Sequence, residues 1–273
     1  MRATEFLTED YKGFTQQDFG FDKEDDIGVT MNHLQVIADT LRRDCAPYIA
    51  TNKLWLKEGN NLYRGVKEAN RQEDFFIKGI VRADRNPRDT PRRWHDFFNT
   101  FFQREFGHPY RSDSMFVFTK EYDTNDFGAP YAVFPIGDYT ICYSPLISDL
   151  TTDFTDPSMS MTPFNAVLRN MSFADIKSAN ERYGFDWQTH GEIADTYLRV
   201  IRGQSTNEGE AFSEFLMEYI LPRLGYEETY DANNIGRSEA MVKCSGYYGV
   251  MVSGMHGVNS NKAVKELMSM VLA

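Results

Sequence analysis

The chain has no long apolar run: its fullest stretches, such as Ala132 to Ile136, fall far short of the ~20 residues a membrane-crossing helix needs. No apolar signal core follows the opening MRATEFLTEDYKG. The sequence therefore reads as soluble, unsecreted and cytoplasmic, with no membrane partner. Cysteine is scarce and scattered. Cys45, Cys142 and Cys244 are odd in number and show no CxxC spacing, which argues against a disulfide framework and for reduced, buried thiols. Histidine is equally sparse: His33, His95, His108, His190 and His256 form no HxxxH or HExxH pair, so no metal centre is expected. The common nucleotide and hydrolase motifs are missing too. Without GxGxxG after a strand pattern, GxxxxGK[ST] or GxSxG, Rossmann dehydrogenase, P-loop NTPase and α/β-hydrolase readings lose their main support.

Positive charge is also short. With 29 basic against 40 acidic residues the net charge is −11, which opposes general binding to nucleic acid or an anionic membrane. One segment departs from this. From Lys78 to Arg111, eight basic residues (Lys78, Arg82, Arg85, Arg88, Arg92, Arg93, Arg104, Arg111) face four acidic ones (Asp84, Asp89, Asp96, Glu105). Such a local excess either holds phosphates or pairs with the acidic remainder of the chain.

What is plentiful is material for a core: 41% of the 273 residues are hydrophobic and 14% aromatic, and a chain of this size hides about 70 to 75% of its extended surface on folding. Met31, Leu34, Ile37, Ala38 and Leu41 recur at helical spacing, with Thr30 as a cap. They belong to an N-terminal helical arm over residues 1–55, whose first ~25 residues carry Tyr11, Phe14, Phe19 and Phe21. Leu62 to Val66 reads as a strand. Arg92 to Phe106 places Trp94, Phe97, Phe98, Phe101 and Phe102 on one helical face and stops at Gly107-His108-Pro109.

Beyond that stop, Arg111 to Thr119 reads as extended, and strands follow at Tyr131 to Pro135 and Tyr139 to Tyr143, joined by a hairpin-type turn at Gly137-Asp138. Residues 150–235 read as a mostly helical insertion, with Glu210 to Leu221 its clearest helix. A second hairpin is expected from Glu239 to Val252 through Ser245-Gly246, and a terminal helix from Asn261 to Leu272. Strands in two groups around a helical stretch lack the alternation of a doubly wound sheet, so the expectation is an α+β fold in a single domain over 1–273.

Three pieces in order then matter: Arg64 within Leu62-Tyr63-Arg64-Gly65, the strand start Arg111-Ser112-Asp113-Ser114, and Glu239 opening the last hairpin. This order resembles the arginine-serine-glutamate branch of the ADP-ribosyltransferase superfamily, over about Leu62 to Val252. The resemblance implies a split β-sheet core whose cleft takes NAD, and commonly a phage-encoded chain acting in the host cytoplasm. It implies an NAD-dependent mono-ADP-ribosyltransferase that transfers ADP-ribose to a protein or nucleic-acid acceptor. Glu239, Arg64, Ser112 and Ser114 take the catalytic places; Arg64, Gly65, Arg111, Ser112 and Tyr131 take the NAD-binding ones.

The chemistry suits those residue types. Breaking the nicotinamide–ribose bond builds positive charge on the sugar, which a carboxylate such as Glu239 steadies while accepting a ribose hydroxyl. The planar fork of Arg64 suits phosphate or carboxylate, Ser112 or Ser114 bonds the ribose or orients Glu239, and Tyr131 offers a ring for stacking.

Plainer uses compete with each of these. Arg64 could be an ion-paired strand residue, the two serines could turn the chain after Pro109, and Glu239 could be solvated at a strand entrance. Two departures from the family pattern also count. The helical stretch between Tyr143 and Glu239 is longer than a minimal catalytic domain needs and reads as an insertion that selects the acceptor. Arg237 stands where arginine-modifying members carry the first acid of Glu-x-Glu, which shifts the expectation toward another acceptor or plain NAD hydrolysis. A literal Glu-x-Glu at Glu208-Gly209-Glu210 leads into a helix and ranks second. The alternative to an enzyme is a non-catalytic phage or host-interaction protein, a virion component or inhibitor, anchored by its aromatics. In a third reading the Lys78 to Arg111 segment meets a nucleic-acid backbone.

Overall fold

Apolar spacing dictates the first element. Helix α1 (Met31–Asp44) buries Leu34, Ile37, Ala38 and Leu41 on one stripe and exposes Met31. Pro47 opens the short α2 (Ala46–Thr51), which runs on into α3 (Lys53–Lys57). This computed structural model describes residues 31–67, 75–85, 90–155, 162–201, 209–236, 238–252 and 260–273. The aromatic start of the N-terminal arm, Thr30, Arg88, Glu208, Arg237 and His256 lie outside them.

Contacts divide the chain into two units, Met1–Cys142 with Glu228–Ala273, and Tyr143–Glu227. In the first, β1 (Tyr63–Val66), β2 (Phe76–Ile80), α4 (Arg92–Phe106), α5 (Tyr110–Asp113), β3 (Met115–Val117) and β4 (Ala129–Pro135) follow one another. β5 (Thr140–Tyr143) and β6 (Glu227–Thr229) straddle the boundary, and β7 (Ala240–Lys243), β8 (Gly246–Met251) and the terminal α11 (Ser260–Leu272) complete the unit. The strands form two four-stranded antiparallel sheets, in the orders β1-β4-β8-β2 and β3-β7-β5-β6. Helices and antiparallel sheets together make the fold α+β, as the strand grouping predicts.

One face of the first sheet packs on the helices. Phe134 receives the Tyr48 ring edge-on at 6.0 Å, Tyr248 donates to Asp44 at 2.8 Å, and α11 packs on α1. Asn52 ties the end of α2 to a distant segment: its amide nitrogen donates to the Tyr48 and Tyr230 carbonyls and the Tyr139 hydroxyl, and its oxygen accepts from the Ala232 amide at 2.7 Å.

Three local expectations fail. Neither expected hairpin forms, because β4 and β5 belong to different sheets and so do β7 and β8. At Gly137 (φ +68°) and at Ser245-Gly246 the chain instead turns from one sheet into the other. The two corners lie side by side, with the Ile136 amide donating to the Gly246 carbonyl at 2.8 Å. The third failure is at residues 110–113, which form a helical turn rather than extended chain. The Pro109 carbonyl accepts from the Ser112 and Asp113 amides (2.8 and 3.2 Å), and the Ser114 hydroxyl donates back to the Tyr110 carbonyl.

The second unit is helical: α6 (Leu150–Thr155), α7 (Pro163–Arg169), α8 (Phe173–Tyr183), α9 (His190–Ile201) and α10 (Gly209–Phe215). α10 continues through a π-helical turn at Leu216–Ile220 and a 3-10 turn at Leu221–Leu224, and the left-handed Gly225 ends it. A capping box starts α8, with Ser172 and Asp175 bonding each other's main chain. The core is aromatic: Trp187, Phe212 and Phe215 are buried, and Phe185 stacks on Trp187 at 3.9 Å.

Candidate active site

Strand β3 has both β1 and β7 beside it. Tyr63 and Phe118 exchange backbone hydrogen bonds (2.7 and 2.8 Å), joining β1 to the end of β3. On the other side Val117 stands opposite Ala240, the first residue of β7, and Glu239 immediately precedes it. Arg64 follows Tyr63, Glu239 precedes Ala240, and Ser114 leads into Met115. The three sequence pieces therefore come from three neighbouring strands.

Arg64 is 8% exposed. Its guanidinium donates to the Phe116 carbonyl at 3.2 Å and lies 5.7 Å from the Tyr247 ring centre. Tyr131 pairs with it in register on β4 and is 3% exposed. Its ring is seated on the bare backbone of Gly249, where a Cβ would stand 3.2 Å from it. Gly65 is also a close approach: a side chain there would meet Phe127 Cβ at 2.5 Å and the Thr124 carbonyl at 2.6 Å. The 3-10 turn Glu121–Phe127 covers Gly65 on that side, so it is chain and not open space that borders this residue.

Ser112 and Ser114 part company. The Ser114 hydroxyl is spent on the Tyr110 carbonyl. Ser112 turns toward α4, accepting from the Asn99 amide nitrogen at 2.7 Å and lying 3.0 Å from His95 Nε2. Neither hydroxyl bonds to the Glu239 carboxylate. Arg111 is buried; it donates to Thr90 Oγ1 at 2.9 Å and lies against the rings of Phe98 and Phe116. Arg85 lies over the Phe116 ring at 4.4 Å. Burial, and then the Arg111 and Arg85 charges, hold the His95 imidazole below its ordinary range, so it is neutral at pH 7.

His95 and Asn99 escape the sequence reading. Their only signal is a polar pair four residues apart on a helix face otherwise made of Trp94, Phe98, Phe101 and Phe102. The basic segment proves to be partly self-neutralised and partly laid on rings. Arg82 pairs with Asp84 at 2.9 Å and Arg92 with Asp96 at 3.6 Å, while Lys78 lies over Tyr248 and Arg93 over Trp94. The cysteines are free thiols; burial raises all three, Cys244 to about 12, which leaves them protonated.

The second unit holds a cleft of its own, about 820 Å³, bordered by Tyr183, Phe185 and Trp187 and by the side chains of Glu192, Asp195 and Arg199. Glu210, of the second-ranked Glu-x-Glu, is exposed in α10 of that unit. Comparison with known proteins finds no matching family model, no matching curated protein and no matching solved structure.

Proposed function

We propose that the chain is an NAD-dependent mono-ADP-ribosyltransferase that releases nicotinamide and transfers ADP-ribose to a protein or nucleic-acid acceptor. One observation carries the reading: the arginine strand, the serine-led strand and the glutamate-led strand are immediate neighbours in the order β1-β3-β7. Nothing local in the sequence requires that, since Leu62 to Val66 and Glu239 are far apart along the chain.

The donor set fits an anionic dinucleotide with a labile sugar bond. Arg64 reaches the Phe116 carbonyl while Arg85 and Arg111 lie over the Phe116 ring, and guanidinium groups suit phosphate oxygens. NAD would supply the activated nicotinamide–ribose bond. Glu239 then accepts a ribose hydroxyl and stabilises positive charge on the sugar, a task worth several kcal/mol in glycosyl transfer. Arg64 anchors the anionic part, and Tyr131 presents the flat surface beside it. Arg237, two residues before Glu239, keeps the reading away from arginine as the acceptor.

The test is nicotinamide release from labelled NAD. Glu239→Gln keeps the shape and removes the charge, and release should fall at least about 100-fold, the loss seen when one charge-stabilising group is deleted from an active site. Equal release from both proteins would take Glu239 out of the mechanism.

A further inference from the structure

We propose that His95 and Asn99 are positioning residues that aim the Ser112 hydroxyl for the glycosyl-transfer step; this rests on the function proposed above. The argument begins with cost. Helix α4 buries Trp94, Phe98, Phe101 and Phe102, and an apolar pair at 95 and 99 would suit that face at lower cost than two polar side chains taken out of water. His95 is only 3% exposed. The polar pair is retained, and its hydrogen bonds converge on a single atom. Asn99 donates to Ser112 Oγ at 2.7 Å and reaches His95 Nε2 at 3.0 Å, and Nε2 in turn lies 3.0 Å from Ser112 Oγ.

The direction of these bonds follows from the partners. An amide nitrogen can only donate, so Nε2 accepts and the ring proton sits on Nδ1. Nδ1 has no hydrogen-bond partner among the described residues, and the Arg85 backbone lies near the ring. The Ser112 hydroxyl then donates to Nε2 and receives Asn99, which leaves one oxygen lone pair free for a ligand hydroxyl. From the other side the Arg85 amide donates to the Ser112 carbonyl at 3.0 Å. Ser112 is thus fixed through main chain and side chain at once, three residues before the first residue of β3.

Charge keeps the arrangement in one state. Arg111 and Arg85 face His95 and oppose its protonation, with Asp96, already paired to Arg92, the only acid among the described residues acting the other way. A protonated ring would turn Nε2 into a donor pointing at a nitrogen that also donates, and the triangle would open.

The experiment is steady-state nicotinamide release by the full chain. His95→Leu and Asn99→Ala should each lower kcat by about 10- to 100-fold, the scale of a small misplacement of a reacting group, with KM for NAD moved less than about threefold, the pattern of an interaction made in the transition state. His95→Gln, which can still accept, should recover part of the loss. Combining His95→Leu with Ser112→Ala should cost no more than Ser112→Ala alone. The wild-type rate should drop on acidification as His95 protonates, and His95→Gln should lack that limb.

Wild-type kcat in His95→Leu, or losses that add fully in the double variant, would overturn the proposal while leaving Glu239 and the reaction in place. An inert wild type would overturn the reaction, and this proposal with it. Urea midpoints measured on every variant separate misfolding from misplacement. If His95→Leu does not fold, the same cycle run with the half-buried Asn99→Ala decides the matter.

Discussion

The two units bury polar groups in different ways. In Tyr143–Glu227 the buried polar atoms around Trp187 are satisfied by near neighbours in sequence, although Ser144 reaches the distant Leu224 carbonyl. Trp187 donates to Thr196 at 3.2 Å, and Asn180 brackets the Trp187 main chain with its oxygen and nitrogen. In the other unit the bonds span long stretches of chain: Asn52 to Ala232, Arg64 to Phe116, Thr90 to Arg111. There, too, buried polar atoms are left short of partners among the described residues, at His95 Nδ1, Asn99 Oδ1 and Asp113 Oδ1. A structural polar network is normally closed. The helical unit is built that way among its described residues, whereas the two-sheet unit keeps unspent hydrogen-bonding capacity, at Tyr48 and Asn61 and also beside α4 and α5, where the candidate site lies.

This contrast can be broken by experiment. The largest expected effect is in the helical unit, where Phe212 is fully buried among aromatics. Phe212→Ala should cost about 3–5 kcal/mol in urea unfolding, against little stability change and a large rate loss for Glu239→Gln. If Phe212→Ala cost under about 1 kcal/mol, the aromatic core would not be what holds that unit. Gly65→Ala tests the close approach to Phe127 and Thr124. It should destabilise by about 1–3 kcal/mol through overpacking, and an unchanged midpoint would show that the 3-10 turn yields freely.

Ser172→Ala removes one half of the α8 capping box and should cost about 1 kcal/mol, with nicotinamide release unaffected below the melting range. Any change in turnover would join the helical unit to the chemistry. The smallest effect is on pH. Because burial and the two arginines lower the His95 pKa, the unfolded chain binds that proton more readily than the folded one. The stability it contributes is intact above the ordinary histidine range and is lost as pH falls from there toward the folded value. Urea midpoints at pH 7.5 and 5.5 should converge more closely for His95→Gln than for wild type; equal slopes would mean that His95 is not the group that titrates.

How much of this was legible from the residues depends on the range of the interaction. Helices α1, α4 and α10 are written in 3.6-residue spacing, and Gly107 marks a stop that occurs where expected. Turn chemistry misleads at Gly137-Asp138 and Ser245-Gly246 because such residues say that the chain turns, not that the flanking strands pair. Strand pairing is decided by which distant surface each strand buries. Residues 110–113 fail for a different reason: Arg-Ser-Asp carries no apolar alternation, and a few local bonds to Pro109 and Tyr110 suffice to wind it. The strands that carry Arg64 and follow Glu239 were legible through their flanks. His95 and Asn99 were not, since a histidine among phenylalanines reads as core until its partners are seen.

The corners between the sheets have one last consequence. The first sheet is fastened to the second at the Tyr63–Phe118 bridge and again, covalently, where the chain crosses between them at Gly137 and at Ser245-Gly246. Two plates riveted at two separate points cannot swing apart like jaws. For the ligand proposed above, room beside Arg64 would come from side chains, that of Tyr247 first among them, rather than from the sheets parting.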